Sequence, residues 1–190
     1  EEELERVIER AKEVGAVVIV DEAYHYFYDR TFLPYALNGE NVIVLRTFSK
    51  LFSLAACRLG VIISNPEIIH YVKNARLTFD VNAIALLFGE RILDRPELIR
   101  ELIRIEKEGK AWILQALEKE DYECRDCRGN FIFVKPKHSA REVANRLETE
   151  KKVLVHPYGN ELLKDCLRVS VGSKEAMELF LEAFLEVDRQ

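Results

Sequence analysis

Three stretches of this chain end or begin in side chains able to do chemistry. Asp21 and Tyr24 close the apolar run AVVIVDEAY, Thr47, Ser49 and Lys50 close NVIVLRTFSK, and Arg58 opens RLGVIIS. In α/β sheets, ligands bind beyond the carboxyl ends of the strands, because side chains there converge on one crevice. An acid, a phenol, two hydroxyls, a primary amine and a guanidinium gathered at such an edge suit a phosphorylated, ring-containing ligand that carries an aldehyde. Each residue alone has a plainer reading: Asp21 and Lys50 as solvated charges, Tyr24 as half-buried packing, Arg58 as a surface ion pair of little value. The joint pattern, DxxY followed by SKxxxxxxxR at consecutive strand ends, outweighs those single readings.

The elements that must position these residues are legible from periodicity. Apolar residues at Leu4, Val7, Ile8 and Ala11 lie on one helical face over residues 1–14, and Gly15 stands where that helix should stop. AVVIV and NVIVL are continuous apolar runs, the pattern of strands buried on both faces, and RLGVIIS is a third. About a dozen residues, with Pro34 and Asn38-Gly39 among them, separate the first two strands and leave room for a short crossover at best. After Asn65-Pro66, PEIIHYVKNARLTF and VNAIALLFGERIL read as helices, and Pro96 opens a long one to about Glu118. From residue 121 the order becomes strand YECRD, strand NFIFVK, a helix from Ser139, strands VLVHP and LRVSVG, and a helix from Ser173, both serines standing at N-cap positions. The expected architecture is α/β. Residues 1–95 form part of a large domain built on a mostly parallel sheet, and residues 96–190, with the linking helix, form a smaller α+β domain.

At 190 residues and 48% hydrophobic, the chain can build a sizeable core in one domain or two small ones. A net charge of −5 with acids and bases interspersed leaves no basic face for a phosphate backbone, so nucleic acid is not an expected partner. The longest apolar runs fall far short of the roughly 20 residues a membrane span requires. EEELERVIERAKE at the start is no signal peptide, so no membrane contact is expected and a cytoplasmic location is. Cys124 and Cys127 form a CxxC, but neither Cys57 nor Cys166 supplies a second ligand pair, so the expectation is reduced thiols and no metal. With Met177 as the single methionine and an opening in mid-helix, the expectation is a piece of something longer.

The pairing of VDEAYHYF with RTFSKLFSLAACRLG resembles the fold-type I pyridoxal-phosphate aminotransferases, and among them is most similar to the histidinol-phosphate aminotransferases. That resemblance implies pyridoxal 5'-phosphate as cofactor. Lys50 would hold its aldehyde and move the proton at the substrate Cα, Asp21 would keep its pyridine nitrogen protonated, and Tyr24 would hydrogen-bond its ring oxygen. Arg58 would grip the phosphate with its planar fork, assisted by the hydroxyls of Thr47 and Ser49. In CLRVSVG, Arg168 corresponds to the arginine that binds the substrate α-carboxylate, and Asn130 in RGNFIFV matches a segment near the same cleft. The implied reaction is transamination of histidinol phosphate with 2-oxoglutarate and glutamate. Alternatives are another class I or II aminotransferase, a phosphothreonine-type decarboxylase, or a truncated, noncatalytic fragment of such an enzyme.

The resemblance runs through essentially all 190 residues and corresponds to the C-terminal half of a typical member. It places upstream of Glu1 the phosphate-cradling helix N-terminus, an aromatic that stacks on the pyridine ring, and an NPxNPTG loop. It further implies a homodimer. One departure stands out: after the strand VLV, where an arginine is usual, this chain has His156, Pro157 and Tyr158.

Overall fold

The computed structural model describes residues 2–189, which divide into two compact units, one up to Ile99 and one from Arg100. In the first unit, α1 (Glu2–Glu13) turns Ile8 inward and precedes β1 (Val18–Asp21), a 3₁₀ turn (His25–Phe27), α2 (Leu33–Asn38) and β2 (Val42–Thr47). A second 3₁₀ turn (Ala55–Cys57), β3 (Gly60–Ile63), α3 (Pro66–Ala75) and α4 (Ala83–Leu93) follow. Asparagines start both of these last helices: the Asn65 and Asn82 side chains accept from the backbone N–H of Ile68 and Ala85. The three strands lie in the order β1-β2-β3. β1 runs parallel to β2, with Asp21 opposite Leu45, whereas β3 runs antiparallel to β2, with Gly60 opposite Thr47. The sheet is therefore mixed: the connection through α2 is long enough for a parallel return, while β3 folds back beside β2.

The core of this unit is Ile8, Phe32, Ala36, Val42 and Val44, with Leu4, Val18, Val20 and Ile63 packed against it. Burial of β1 differs from the expectation of two covered faces. Val18 and Val20 pack against the core, but Ile19 is 62% exposed. As an edge strand, β1 has a neighbour on one side only, and an apolar run cannot report how many layers cover it. Asn41 ties the end of α1 to the sheet by donating to the carbonyls of Ile8 and Ala16 at 3.1 and 3.2 Å.

The second unit is built on an antiparallel sheet in the order β4-β5-β7-β6, comprising Cys124–Asp126, Phe131–Val134, Leu167–Ser170 and His156–Pro157 respectively. Three helices belong to it: most of α5 (Pro96–Lys119), α6 (Ala140–Lys151) and α7 (Lys174–Asp188). Ile113, Leu117, Ile132, Val134, Leu147, Leu167 and Phe184 are wholly buried at its centre. Of the two expected serine caps, Ser173 accepts from the Ala176 N–H, but Ser139 stands at the N-cap without a side-chain capping bond. The turn ahead of α6 is held instead by Asp188, a fully buried carboxylate that accepts from the backbone N–H of Lys137 and His138 at 2.8 and 3.0 Å. The VLVHP strand shrinks to His156–Pro157, with Leu154 77% exposed before it. All four cysteines are free, and burial pushes the Cys124 and Cys127 thiols up, away from reactive thiolate. Among the described residues, no helix is long and apolar enough to cross a membrane.

Glu106 on α5 carries a pH dependence. Burial, with Oε2 lacking a hydrogen-bond partner, pushes its carboxyl up to about 7, against a partial opposite pull from Lys110. Because the folded-state value lies above the unfolded one, this group's contribution is fully present at low pH and is lost as the pH rises through neutrality. Glu106→Gln should therefore flatten the loss of stability between about pH 5 and pH 8 by on the order of 1 kcal/mol, a figure reduced for partial solvent screening. Urea melts of both proteins across that range check it; parallel pH profiles would rule it out.

Candidate active site

The site residues of the first unit sit where the backbone leaves the sheet. Asp21 is the last residue of β1, and its Oδ1 accepts from the Ala23 N–H at 3.0 Å, which turns the chain toward Tyr24. Thr47 is the last residue of β2. Its hydroxyl donates to Ser49 Oγ at 2.9 Å and accepts from the Ser49 N–H at 3.1 Å, so the two hydroxyls are held side by side. Beyond them Lys50 reaches back over the β1 end, with its Nζ 5.2 Å from the centroid of the Tyr24 ring. An amine at that distance from an aromatic face is within cation–π range. Residues from the ends of the two parallel strands thus meet.

The residues that flank Lys50 in the chain form an apolar platform. Phe48, Leu51 and Phe52 are buried, with the two phenylalanine rings 5.2 Å apart and the Tyr26 ring edge-on to Phe52 at 5.2 Å. Helix α4 approaches this platform at Gly89, where a Cβ would stand 2.7 Å from Leu59 Cδ2 and 3.6 Å from Phe48.

Arg58 lies two residues ahead of β3, as the C-cap of the Ala55–Cys57 turn, and donates to the Ala55 carbonyl at 2.9 Å. It adopts a left-handed backbone with φ 53°, as Ser53 does with φ 54°. Non-glycine residues are uncommon there, and two within one loop mark a backbone held by its surroundings in a conformation of higher energy.

Three residues not singled out by sequence reasoning organise this edge. Glu22, next to Asp21, points to the opposite side and is buried. Its carboxylate accepts from Thr31 Oγ1 at 2.9 Å, from the Phe32 N–H at 2.6 Å, and from Arg46 Nε and Nη2 at 3.1 and 3.0 Å. Arg46 also donates to Thr31 Oγ1 at 2.9 Å. Nearby, burial and the Arg46 charge lower the pKa of His25, with Glu22 opposing, while burial raises that of Tyr26. The signal available in the sequence was a pair of opposite charges inside otherwise apolar strand ends, VIVDE and VIVLR.

In the second unit, Arg168 lies on β7 directly opposite His156 of β6, so both side chains leave the same face of the ladder. The Arg168 guanidinium lies 4.2 Å over the Phe131 ring, and His156 meets the Tyr158 ring edge-on at 4.9 Å. A cavity of about 330 Å³ is lined by Leu154, Val155, His156, Arg168 and Ser170. Asn130, just before β5, accepts from the Val171 N–H through its backbone carbonyl at 2.8 Å.

The sequence pattern of the family "Aminotransferase class I and II" matches residues 1–184. The chain is 33% identical over 181 residues to the histidinol-phosphate aminotransferase of Geobacter sp. (strain M21), an alignment covering 95% of this chain and 52% of that protein. Identity to the enzyme of the same name from Oleidesulfovibrio alaskensis is 34% over 196 aligned residues, covering 98% and 51%. The fold matches the crystal structure of histidinol-phosphate aminotransferase from Sinorhizobium meliloti in complex with pyridoxal-5'-phosphate. The TM-score is 0.84 at 24% identity, over 97% of this chain and 52% of that one. The chain spans about half the length of the curated relatives it matches. With the family pattern running unbroken through both units, this chain belongs to the class I and II aminotransferases.

Proposed function

We propose that the protein catalyses transfer of the amino group of histidinol phosphate to 2-oxoglutarate, which leaves the corresponding ketone phosphate and glutamate, using pyridoxal 5'-phosphate. The observation that carries this reading is the placement of the Lys50 amine over the Tyr24 ring, at the ends of two adjacent parallel strands. The donor set fits the cofactor: a primary amine for the aldehyde, a carboxylate for a ring nitrogen, a phenol for the ring oxygen, and hydroxyls with a guanidinium for the phosphate. When bound, the cofactor supplies an electron sink for the electron pair left at the substrate Cα.

Each residue then has a defined task. Lys50 would hold the aldehyde carbon and would carry a proton to and from the substrate Cα. Asp21 would keep a proton on the ring nitrogen, its position set by the bond to Ala23 N–H. Thr47 and Ser49, already paired, would turn their hydroxyls to a phosphate, which Arg58 would grip with its fork. Arg168 binds the substrate anion, and the flat face of Phe131 holds its guanidinium in plane. The choice of histidinol phosphate is supported by the names of relatives above 30% identity, the Geobacter and Oleidesulfovibrio enzymes among them.

The test is glutamate formation from 2-oxoglutarate by the full-length, cofactor-loaded protein. Glutamate that appears only with histidinol phosphate supports the assignment. An equal rate with aromatic amino acids lacking a phosphate overturns the substrate, and release of carbon dioxide from O-phosphothreonine would replace transfer by decarboxylation. A role split is also expected. Arg58→Ala should weaken cofactor retention by about ten- to hundredfold, the worth of a lost charged hydrogen bond. Arg168→Ala should instead raise the substrate KM with the cofactor retained. Equal cofactor loss in both variants would contradict the division.

A further inference from the structure

We propose that Glu22 and Arg46 are positioning residues, whose ion pair sets the placement of the Asp21–Tyr24 segment relative to Thr47–Lys50; the proposal rests on the cofactor reading above. Five contacts converge on one carboxylate from two separate segments: the Thr31 hydroxyl shared between both oxygens, the Phe32 N–H, and Arg46 twice. Asp21 is bonded to Glu22 through the chain, and Thr47 to Arg46. A displacement of either partner therefore moves a site residue directly. The Glu22 N–H also donates to the Leu45 carbonyl at 2.8 Å, so backbone and side chain of Glu22 both tie the β1 end to β2.

Stability alone does not account for such a pair. The side chains are 7% and 18% exposed, and taking two charges that far from water costs about as much as their attraction returns. An apolar pair of similar volume would hold the strands together as well. What the ion pair adds is geometry: the planar fork and the carboxylate meet in one arrangement, and Thr31 bonds to both partners. A misplacement of about 1 Å at a reacting group costs on the order of a hundredfold in rate. A fixed register between the two strand ends is therefore functionally consequential.

The experiment uses the full-length protein with three variants: Glu22→Gln, Arg46→Lys, and the double variant Glu22→Gln/Arg46→Met. Three quantities are measured: the Kd for pyridoxal phosphate by absorbance titration, the pH midpoint of the visible absorbance of the bound cofactor, and the melting temperature without cofactor. Glu22→Gln and Arg46→Lys should each raise the Kd about tenfold or more and displace the pH midpoint. In the double variant the buried charges are gone, so the melting temperature should return toward that of the parent while the Kd and the pH midpoint stay perturbed. If a single variant fails to fold, the double variant carries the test. Parental Kd and pH midpoint in the folded variants would reduce the pair to a purely structural role and overturn the proposal. A parent protein that acquires no visible absorbance would overturn the cofactor reading itself, and the proposal with it, a result distinct from the former.

Discussion

Lys50→Ala should abolish the visible absorbance that the proposed function requires with pyridoxal phosphate and lower the proposed amino transfer by about 10⁴-fold, the scale of losing a positioned proton carrier. The fold should barely respond. Lys50 is half-buried and its contact with Tyr24 is a single cation–π approach, whereas the core of this part of the chain is the buried Phe48, Leu51 and Phe52 side chains. The melting temperature should therefore stay within the change that a loss of about 0.5 kcal/mol produces. Lys50→Arg separates amine chemistry from charge: it keeps a cation over Tyr24 but has no accessible neutral amine, and should be as inactive as the alanine variant. Persistence of the absorbance in Lys50→Ala would assign the covalent amine to another lysine and remove the basis of the site.

The second large effect is on stability. Gly109→Ala should destabilise the second unit by roughly 2 kcal/mol or more, although alanine is the better helix former by about 1 kcal/mol. A Cβ at this position of α5 would run into the Gly172 carbonyl oxygen and stand 2.9 Å from the Ser173 carbonyl carbon and 3.1 Å from that of Gly172. All three atoms are backbone, just ahead of α7, and cannot rotate away. Gly89 supplies the contrast, since its nearest neighbour is the Leu59 methyl, which a rotamer change can move. Gly89→Ala should accordingly cost less than Gly109→Ala in the same denaturant melts. A Gly109→Ala variant as stable as the parent would mean that α5 and the Gly172–Ser173 backbone are farther apart.

Much of this molecule could be read along the chain. Asn65, Asn82 and Ser173 act within three residues of themselves, so the starts of α3, α4 and α7 follow from local chemistry. DxxY and SKxxxxxxxR state their own spacing, and apolar periodicity locates the strands that bring Tyr24 and Lys50 together. Where two signals competed locally, the reading was less complete. Of VLVHP only His156 and Pro157 join the ladder, and Asp188, fifty positions from His138, holds the turn ahead of Ser139, whose own side chain makes no capping bond.

What the amino-acid order determined by itself was the set of reactive groups, their order, and the helices and strands that carry them, because periodicity and capping are short-range. Tertiary structure alone decided that β3 pairs antiparallel with β2, that Ile19 faces outward, that Gly109 meets the Gly172 backbone, and that Glu22 finds Arg46. Each of these joins residues far apart in the chain or depends on how many layers cover a strand. A carboxylate or a run of valines looks the same in sequence whatever partner the fold supplies, since the energy of burying it depends on that partner and not on its neighbours along the chain.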